Sequence, residues 1–244
     1  MTPIRLSIVI PAYNEAAFIG TLLTQIRAVD LASHGVTLEL IVVDDGSKDD
    51  TAAIAESHAG VQVIRQRPNA GKGAAVRRGL AAATGTHVLI QDADLEYDPR
   101  DYVTLIQALR AGDGRVVVYG SRYLGRPDVL GRRASRFGPW PGQSLAAYLG
   151  GRSLSVAAWL ATGRYLTDTV TALKLFPRPL ITGFTLETTG FELDHEMSAK
   201  VLAAGERIVE VPIGYAPRSK AEGKKIGARD WWRALRTFWR FRRG

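Results

Sequence analysis

Three carboxylates, Asp92, Asp94 and Glu96, follow directly on the apolar residues 86–90. Residues 86–90 predict a buried strand, so the three side chains come at its carboxyl end. Two carboxylates one residue apart repel each other unless a cation neutralises them, and oxygen ligands suit Mg²⁺ or Mn²⁺. The run predicts a metal–diphosphate site formed by these three residues. The alternative is a solvated acidic turn that caps a helix.

Polar segments also follow the other predicted strands of the amino-terminal half. Residues 6–10, 38–43 and 61–64 are short apolar runs, and helical patterns alternate with them. Strands that alternate with helices predict an α/β fold with a parallel, doubly wound sheet, and ligands bind such sheets outside the carboxyl ends of the strands. The segments at or near those ends are residues 11–15, 44–47, 69–73 and 92–96.

The positive charge of the chain is concentrated at its carboxyl end. The 244 residues contain 32 Lys and Arg and 24 Asp and Glu, a net charge of +8. From Arg218 onward there are ten basic and two acidic residues, so this segment carries the whole excess (10 − 2 = 8). We therefore expect anionic partners to meet this segment, and no nucleic acid among them, because no base-reading motif accompanies the charge.

Cysteine content and apolar run length narrow the class of protein. The chain has no cysteine, which excludes disulfides, thiolate zinc sites and cysteine nucleophiles. Residues 153–163, the longest apolar candidate, have about half the length of a membrane-spanning helix. The first residues lack the length and cleavage site of a signal peptide. We expect a cytoplasmic protein that is soluble or peripheral at a membrane.

Several motifs occur in order along almost the whole chain. They are residues 10–15 (IPAYNE), 43–47 (VDDGS), 69–73 (NAGKG), 91–96 (QDADLE), 119–122 (YGSR), 168–174 (DTVTALK), 190–194 (GFELD), 210–212 (EVP) and 222–225 (EGKK). In this order they resemble the inverting nucleotide-sugar glycosyltransferases of family 2, and within them the dolichyl- or polyprenyl-phosphate hexose synthases. The resemblance implies a GT-A type fold, a Rossmann-like and mostly parallel sheet flanked by helices, with amphipathic surface helices.

The resemblance also implies a reaction. A hexose would pass, with inversion, from GDP-mannose or UDP-glucose to a polyprenyl or dolichyl phosphate at the cytosolic face of the membrane. Mg²⁺ or Mn²⁺ would bridge the two phosphates and neutralise charge on the leaving nucleoside diphosphate. A phosphate acceptor needs no catalytic base, because its second pKa of about 6 leaves it largely a dianion near neutrality.

Individual residues receive roles from the same resemblance. Nucleotide binding is implied for Pro11, Tyr13, Glu15, Asp45, Lys72 and Asp92. Catalysis is implied for Asp92, Asp94 and Arg122, and the metal set is Asp92, Asp94 and Glu96. The acceptor phosphate is assigned to Arg122, Arg133, Arg218 and Lys224, because guanidinium groups bind phosphate through two parallel hydrogen bonds.

The domain organisation follows from these motifs. Residues 1–217 are predicted to form the catalytic domain, in which residues 122–166 are a candidate acceptor-facing or membrane-facing insertion with short amphipathic helices. Residues 218–228 are predicted to be a mobile basic loop, and residues 229–244 an amphipathic helix. Its predicted membrane face contains Trp231, Trp232, Leu235, Phe238 and Trp239, surrounded by arginines. The alternative is a helix that packs on the domain or forms an oligomer contact.

Two other functions remain open from the residues. Transfer to a hydroxyl acceptor would need a carboxylate base, for which Asp194 and Glu192 are candidates. A noncatalytic partner that binds a nucleotide sugar or a membrane is the second alternative, although the intact acidic run argues against it.

Overall fold

One seven-stranded sheet runs through the part of the chain that the computed structural model describes, residues 3–124, 139–140, 143–218 and 228–243. Its strands are β1 (Ile4–Ala12), β2 (Val36–Asp44), β3 (Val61–Arg65), β4 (His87–Ile90), β5 (Val117–Ser121), β6 (Lys174–Pro177) and β7 (Ile208–Pro212). Their order is β3-β2-β1-β4-β6-β5-β7. Strand β6 is antiparallel to both of its neighbours, and the other pairs are parallel. The predicted, mostly parallel α/β sheet is confirmed.

Helices cover both faces of this sheet. They are α1 (Ile19–Ala28), α2 (Thr51–Ser57), α3 (Lys72–Ala82), α4 (Tyr102–Ala111), α5 (Leu145–Thr162), α6 (Arg178–Gly183), α7 (Leu193–Ala203) and α8 (Ala228–Phe241). Successive residues of β1 point to opposite faces: Ile8 packs with apolar residues of α1 and α4, and Val9 with those of α3 and α7. Each face of the sheet therefore has its own core.

The region after β5 differs from the sequence prediction. Short helices are predicted within residues 122–166, whereas the described part of this region contains a helix of 18 residues, α5 (Leu145–Thr162). Ser144 caps its first turn by accepting a hydrogen bond from the Ala147 N–H at 3.2 Å, and Gly163 ends it in the left-handed conformation at φ 71°. Within the described residues, the helices are too short or too polar to cross a bilayer.

The direction of strand β6 determines which strand ends lie at the same edge of the sheet. Because β6 runs between β4 and β5, those two strands point the same way and end at the same edge of the sheet. Strands β1, β2 and β3 also end there, with Ala12 beside Asp44 and Asp44 beside Arg65. The acidic turn after β4 and the arginine after β5 thus share one edge with the polar segments after β1 and β2.

Candidate active site

The acidic turn after β4 is held by two basic side chains from elsewhere in the chain. Lys72 Nζ lies 2.8 Å from Asp92 Oδ1. Arg218 Nη2 lies 2.9 Å from Asp94 Oδ2, and the Arg218 N–H donates to Glu96 Oε1 at 2.9 Å. Burial is the main cause that raises the pKa of Asp92 and of Asp94. Asp92 and Asp94 are therefore costly to charge, and each of the three carboxylates has a donor beside it.

A buried network of two lysines and one carboxylate lies beside Asp92. Lys72 Nζ contacts Asp194 Oδ2 at 3.1 Å, and the fully buried Lys174 Nζ contacts Asp194 Oδ1 at 3.1 Å. Burial alone would raise the pKa of Asp194, but the charges of Lys174 and Lys72 lower it to about 2. Burial lowers the pKa of Lys174, whereas Asp194 and Asp92 raise that of Lys72 against its own burial. Asp194 is consequently a fixed anion with both oxygens in ion pairs.

The glycines on either side of Lys72 make room for another part of the protein. A Cβ at Gly71, where φ is +97°, would lie 2.4 Å from the Thr189 carbonyl oxygen. A Cβ at Gly73 would lie 2.8 Å from the Thr188 carbonyl oxygen. The 188–190 backbone thus packs directly against the start of α3. Gly71 and Gly73 thus pack against a segment more than 100 residues away in the sequence, a contact that the local motif does not predict.

Asp45, a predicted nucleotide ligand, anchors the loop that leads to Lys72. Its Oδ1 accepts from the Ala70 N–H at 2.8 Å and from Gln66 Nε2 at 2.7 Å, and its Oδ2 accepts from the Gly71 N–H at 2.8 Å. The carboxylate is buried, with 3% of the residue exposed. The structure therefore gives Asp45 a loop-holding role that the motif by itself does not reveal.

An open pocket of about 510 Å³ lies next to this loop. Its lining residues come from the ends of β1 and β2 and from the segment after β3: Tyr13, Gly46, Ser47, Lys48, Arg67, Pro68 and Asn69. Tyr13 is among the predicted nucleotide ligands, whereas Pro11 is buried within β1, opposite Val43. The pocket has an aromatic ring, cations and amide groups, which are suitable contacts for a base and its sugar.

Glu15 lies on the same side as the acidic turn. Its Oε2 is 3.1 Å from Arg218 Nη1, so Arg218 joins Glu15 to Asp94. The Glu15 N–H donates to Thr51 Oγ1 at 2.8 Å, which fixes the start of the 15–18 turn against α2. The segments after β1 and β4 and the segment after β7 are thereby brought together at one point.

Arg122 is held in a buried ion pair at the end of β5. Its Nε lies 2.6 Å from Asp168 Oδ2 and its Nη2 lies 2.7 Å from Asp168 Oδ1. Glu210 accepts from the Asp168 N–H at 2.9 Å and so fixes the loop that carries this partner. The Arg122 guanidinium lies 4.7 Å from the ring centre of Tyr215, whose hydroxyl donates to Glu96 Oε2 at 2.9 Å. Tyr215 therefore connects Arg122 to the acidic turn. The pair with Asp168 uses Nε and Nη2 of Arg122 and leaves Nη1 outside it.

Part of the predicted acceptor site cannot be placed. Arg133 and Lys224 lie outside the described residues, as do residues 219–227, the greater part of the predicted basic loop. Of the predicted acceptor ligands, Arg122 and Arg218 are described. Their guanidinium groups both touch residues of the acidic turn or its neighbour Tyr215.

The carboxyl-terminal helix corrects one sequence prediction. Phe238 is fully buried against α5 and α7, where it meets Ala158, Ala199 and the His195 ring, whereas the prediction put it on an exposed membrane face. Trp232 and Trp239 are 61% and 47% exposed. Trp231 and Leu235 are half-buried. The reason is that α8 packs as a helix of the domain, so the apolar residues divide between a buried and an exposed face.

The donor atoms of the acidic turn fit a divalent cation shared with a ligand. Within the described ranges, no three Asp, Glu or His side chains converge closely enough to hold a metal ion by themselves. The three predicted metal ligands instead contact two different basic residues: Asp92 pairs with Lys72, and Asp94 and Glu96 contact Arg218. Mg²⁺ commonly takes one or two carboxylates and completes its shell with substrate phosphates and water. The Arg218 guanidinium already stands in for a cation beside Asp94 and Glu15.

Comparison with known proteins decides the family. The model of "Glycosyl transferase family 2" matches residues 7–170, which is more than half of the chain. The chain belongs to glycosyl transferase family 2. The residues matched include the segments after β1 to β5 and the loop that carries Asp168. The predicted family is confirmed.

Curated relatives within the family include enzymes named for lipid phosphates. The chain is 30% identical to a dolichol-phosphate mannosyltransferase of Pyrococcus furiosus over 91% of its own length and 60% of the relative's. It is 29% identical to an undecaprenyl-phosphate mannosyltransferase of Micrococcus luteus, covering 91% and 88% of the two chains. The chain thus spans less than two thirds of the Pyrococcus relative and most of the Micrococcus one.

Solved structures with the same fold include synthases named for phosphoglycerate. Glucosyl-3-phosphoglycerate synthase of Mycobacterium tuberculosis superimposes with a TM-score of 0.69 at 24% identity, over 96% of this chain and 79% of that one. The same synthase in complex with Mn²⁺ and uridine-diphosphate-glucose gives a TM-score of 0.65 at 25% identity, over 90% and 73%. These likenesses confirm the GT-A type fold.

Proposed function

We propose that the protein transfers a hexose, with inversion, from a nucleotide diphosphate sugar to a polyprenyl phosphate at the cytosolic surface of a membrane, with the help of a divalent cation. GDP-mannose and UDP-glucose are the candidate donors. The names of the Pyrococcus and Micrococcus relatives support the lipid phosphate class of acceptor. The Mycobacterium synthase crystallised with Mn²⁺ and a nucleotide sugar supports the donor class and the cation.

The observation that carries the acceptor class is the state of Asp194. A base for a hydroxyl acceptor must accept a proton, but both Asp194 oxygens are held by Lys72 and Lys174 and its pKa is about 2. Protonating it would break two buried ion pairs. A phosphate acceptor arrives as an anion and requires no such base. The site is therefore better suited to a phosphate nucleophile than to a hydroxyl served by Asp194.

The neighbouring residues fit the two charged substrates. Arg122 has its orientation fixed by Asp168 and lies one tyrosine away from Glu96, so an acceptor phosphate bound there approaches the acidic turn. Lys72 holds Asp92 at the end of β4. A divalent cation bound at Asp94 and Glu96 would neutralise charge that develops on the departing nucleoside diphosphate. The open pocket at Tyr13 would hold the base.

Two helices offer a surface for the membrane. The exposed apolar side chains on α5 are Leu145, Leu149, Val156, Trp159 and Leu160, and those on α8 are Trp232 and Trp239. Trp231 Nε1 donates to Ser153 Oγ at 2.9 Å, which joins the two helices. The exposed arginines 233, 236 and 243 lie on α8 and just after it. Apolar side chains with flanking cations suit an anionic bilayer surface, where each nearby cation contributes roughly 1 kcal/mol.

A second function is favoured by one observation at the start of α7. Glu192 Oε2 is buried and has no hydrogen-bond partner among the described residues, so no protein donor occupies this oxygen. Glu192 follows the 188–190 segment that packs on α3, close to the Lys72 network. With Glu192 as base, the enzyme would glycosylate a hydroxyl of a small phosphorylated acceptor, the class named for the Mycobacterium synthase.

The test is transfer of radiolabel from UDP- and GDP-sugars, with Mg²⁺ or Mn²⁺, to a polyprenyl phosphate in anionic vesicles. We expect label in the organic phase. Asp94→Asn should abolish it, while the matched control Asp113→Asn, which removes an equal charge from an exposed turn at the opposite end of the sheet, should retain it.

The acceptor alternatives give different results in the same experiment. Glu192→Gln should leave transfer to the lipid phosphate nearly unchanged, because that acceptor needs no base. Label confined to water-soluble products such as glycosylated phosphoglycerate, and lost in Glu192→Gln, would refute the lipid acceptor and support the hydroxyl one.

A further inference from the structure

Arg218 follows the edge strand β7, and its side chain lies at the acidic turn after β4. The segment after β7 is attached to Glu96 by three contacts: the Ala216 N–H donates to its carbonyl at 2.9 Å, and the Tyr215 hydroxyl and the Arg218 N–H each donate to its carboxylate at 2.9 Å. From this attachment the Arg218 side chain extends to Asp94 at 2.9 Å and Glu15 at 3.1 Å. The guanidinium thus lies among carboxylates from the ends of two strands.

The guanidinium takes the place that a smaller cation would need. Glu15, Asp94 and Glu96 face one arginine, yet within the described ranges no three such side chains are close enough to share a metal ion. A guanidinium is broad and spreads its charge over three nitrogens, so the carboxylates around it lie further apart than those around a divalent metal ion. Mg²⁺, for example, binds its oxygen ligands at about 2.0–2.1 Å. Arginine and metal therefore compete for the same anions.

The arginine is not fully satisfied in this position. Its Nε is buried and makes no hydrogen bond to any residue in the described ranges, and the nearest Glu96 oxygen is 3.9 Å away. A buried donor without a partner costs free energy that is recovered when the group finds a better acceptor. Phosphate is such an acceptor, because it accepts parallel hydrogen bonds from the fork of a guanidinium. A diphosphate at this edge of the sheet would give Arg218 Nε a hydrogen-bond acceptor, which the carboxylates do not.

We propose that Arg218 is the resident counter-ion of this acidic site and that a divalent metal ion enters by exchange with it, when a nucleoside diphosphate gives the arginine another anion. The inference rests on the proposed function, since it assumes that the site binds a metal and a diphosphate. Metal binding and diphosphate binding are then coupled, and the coupling is reciprocal. The protein without nucleotide holds the metal weakly.

Direct Mn²⁺ binding tests this exchange. The loss of the electron paramagnetic resonance signal of free Mn²⁺ gives the Kd for Mn²⁺ alone, without donor or acceptor. Arg218→Gln should bind Mn²⁺ about tenfold more tightly than wild type, equivalent to about 1.4 kcal/mol. The matched control Arg5→Gln, an arginine paired with Glu39 at the other end of the sheet, should keep the wild-type Kd. Asp94→Asn should weaken Mn²⁺ binding in the Arg218→Gln background.

A stability measurement guards against a misfolded variant. Without divalent cations Arg218→Gln should melt below wild type, because Asp94 and Glu96 lose the charge of the arginine, and Mn²⁺ should raise its Tm by more than it raises that of wild type. Arg218→Lys keeps a cation and should bind Mn²⁺ less tightly than Arg218→Gln. With GDP or UDP present, the wild-type and Gln affinities for Mn²⁺ should approach each other.

Two results would overturn the inference in distinguishable ways. Equal Mn²⁺ affinity of wild type and Arg218→Gln, with binding lost in Asp94→Asn, refutes the exchange and leaves the proposed function intact. If neither protein binds Mn²⁺, even with GDP or UDP, the metal dependence in the proposed function fails and the exchange fails with it.

Discussion

Replacing Asp194 by asparagine should lower the stability of the protein, because the Asp194 carboxylate is the partner of two lysines. Lowering the pKa of this carboxyl from 3.8 to about 2 corresponds to roughly 2.5 kcal/mol of folding free energy at neutral pH. The variant also leaves the fully buried Lys174 ammonium without its carboxylate, and breaking a buried pair costs about 3–5 kcal/mol. For a domain of this size the Tm should fall by roughly 10 °C.

The dependence on pH gives this prediction a second readout. The folded pKa lies below the unfolded one, so the stabilisation is present above about pH 4 and is lost as the pH falls toward 2. The linkage part of the difference in unfolding free energy between wild type and Asp194→Asn, roughly 2.5 kcal/mol at neutral pH, should therefore shrink to about half by pH 3. Denaturant unfolding at a series of pH values measures it. The double variant Asp194→Asn/Lys174→Met should regain part of the loss, because no buried charge is then left unpaired.

The opposite outcome is equally specific. If Asp194→Asn has the Tm of the wild type and a kcat that is about 10²–10⁴-fold lower, Asp194 acts as a general base and the assignment of a phosphate acceptor is refuted. Asp113→Asn serves as the control for removing one negative charge from the surface.

Three further predictions concern packing, the acceptor and the membrane. Gly73→Ala should lower the unfolding free energy by about 1–3 kcal/mol, seen in denaturant titration, because its Cβ would meet the 188–190 backbone. Arg122→Lys should raise the KM for the phosphate acceptor more than that for the donor sugar, since a lysine cannot keep the two-point pair with Asp168 and also present a further N–H to the phosphate. Trp232→Ala/Trp239→Ala should weaken sedimentation with anionic vesicles while the Tm stays nearly unchanged, whereas Phe238→Ala should cost about 3–5 kcal/mol of stability. Equal vesicle binding by the double tryptophan variant would contradict a membrane role for this surface.

The sequence predicts the strand-end architecture because local patterns encode it. Apolar runs followed by polar segments locate β1, β2, β3 and β4 and their loops, and parallel strands bring those loops to one edge. Strand β6 was not predicted, because it has four residues and no alternating pattern. The single long helix α5 was also not predicted, since its apolar and small residues occur on several sides.

The partners of the charged side chains could not be predicted in the same way. The sequence identifies Asp194 as a candidate base, but its ion-pair partners Lys174 and Lys72 are 20 and 122 residues away and meet it only in the folded chain. Likewise, the ordered motifs suggest a phosphate contact for Arg218, whereas its contact with Asp94 spans 124 residues. Residue types are local information, but the pKa and the pairing of a side chain depend on the tertiary structure.

The reversal of strand β6 sets the distance between two strand ends of the candidate site. Two steps across a sheet, from β4 through β6 to β5, measure about 10 Å, since neighbouring strands are about 4.7–4.9 Å apart. That strand therefore acts as a spacer between the turn that would hold the leaving diphosphate and the arginine that would hold the incoming phosphate. In an in-line displacement only the anomeric carbon lies between the attacking and the leaving oxygens, so the side chains after β4 and β5 must reach across most of this width. Tyr215, which contacts both Arg122 and Glu96, lies in that interval.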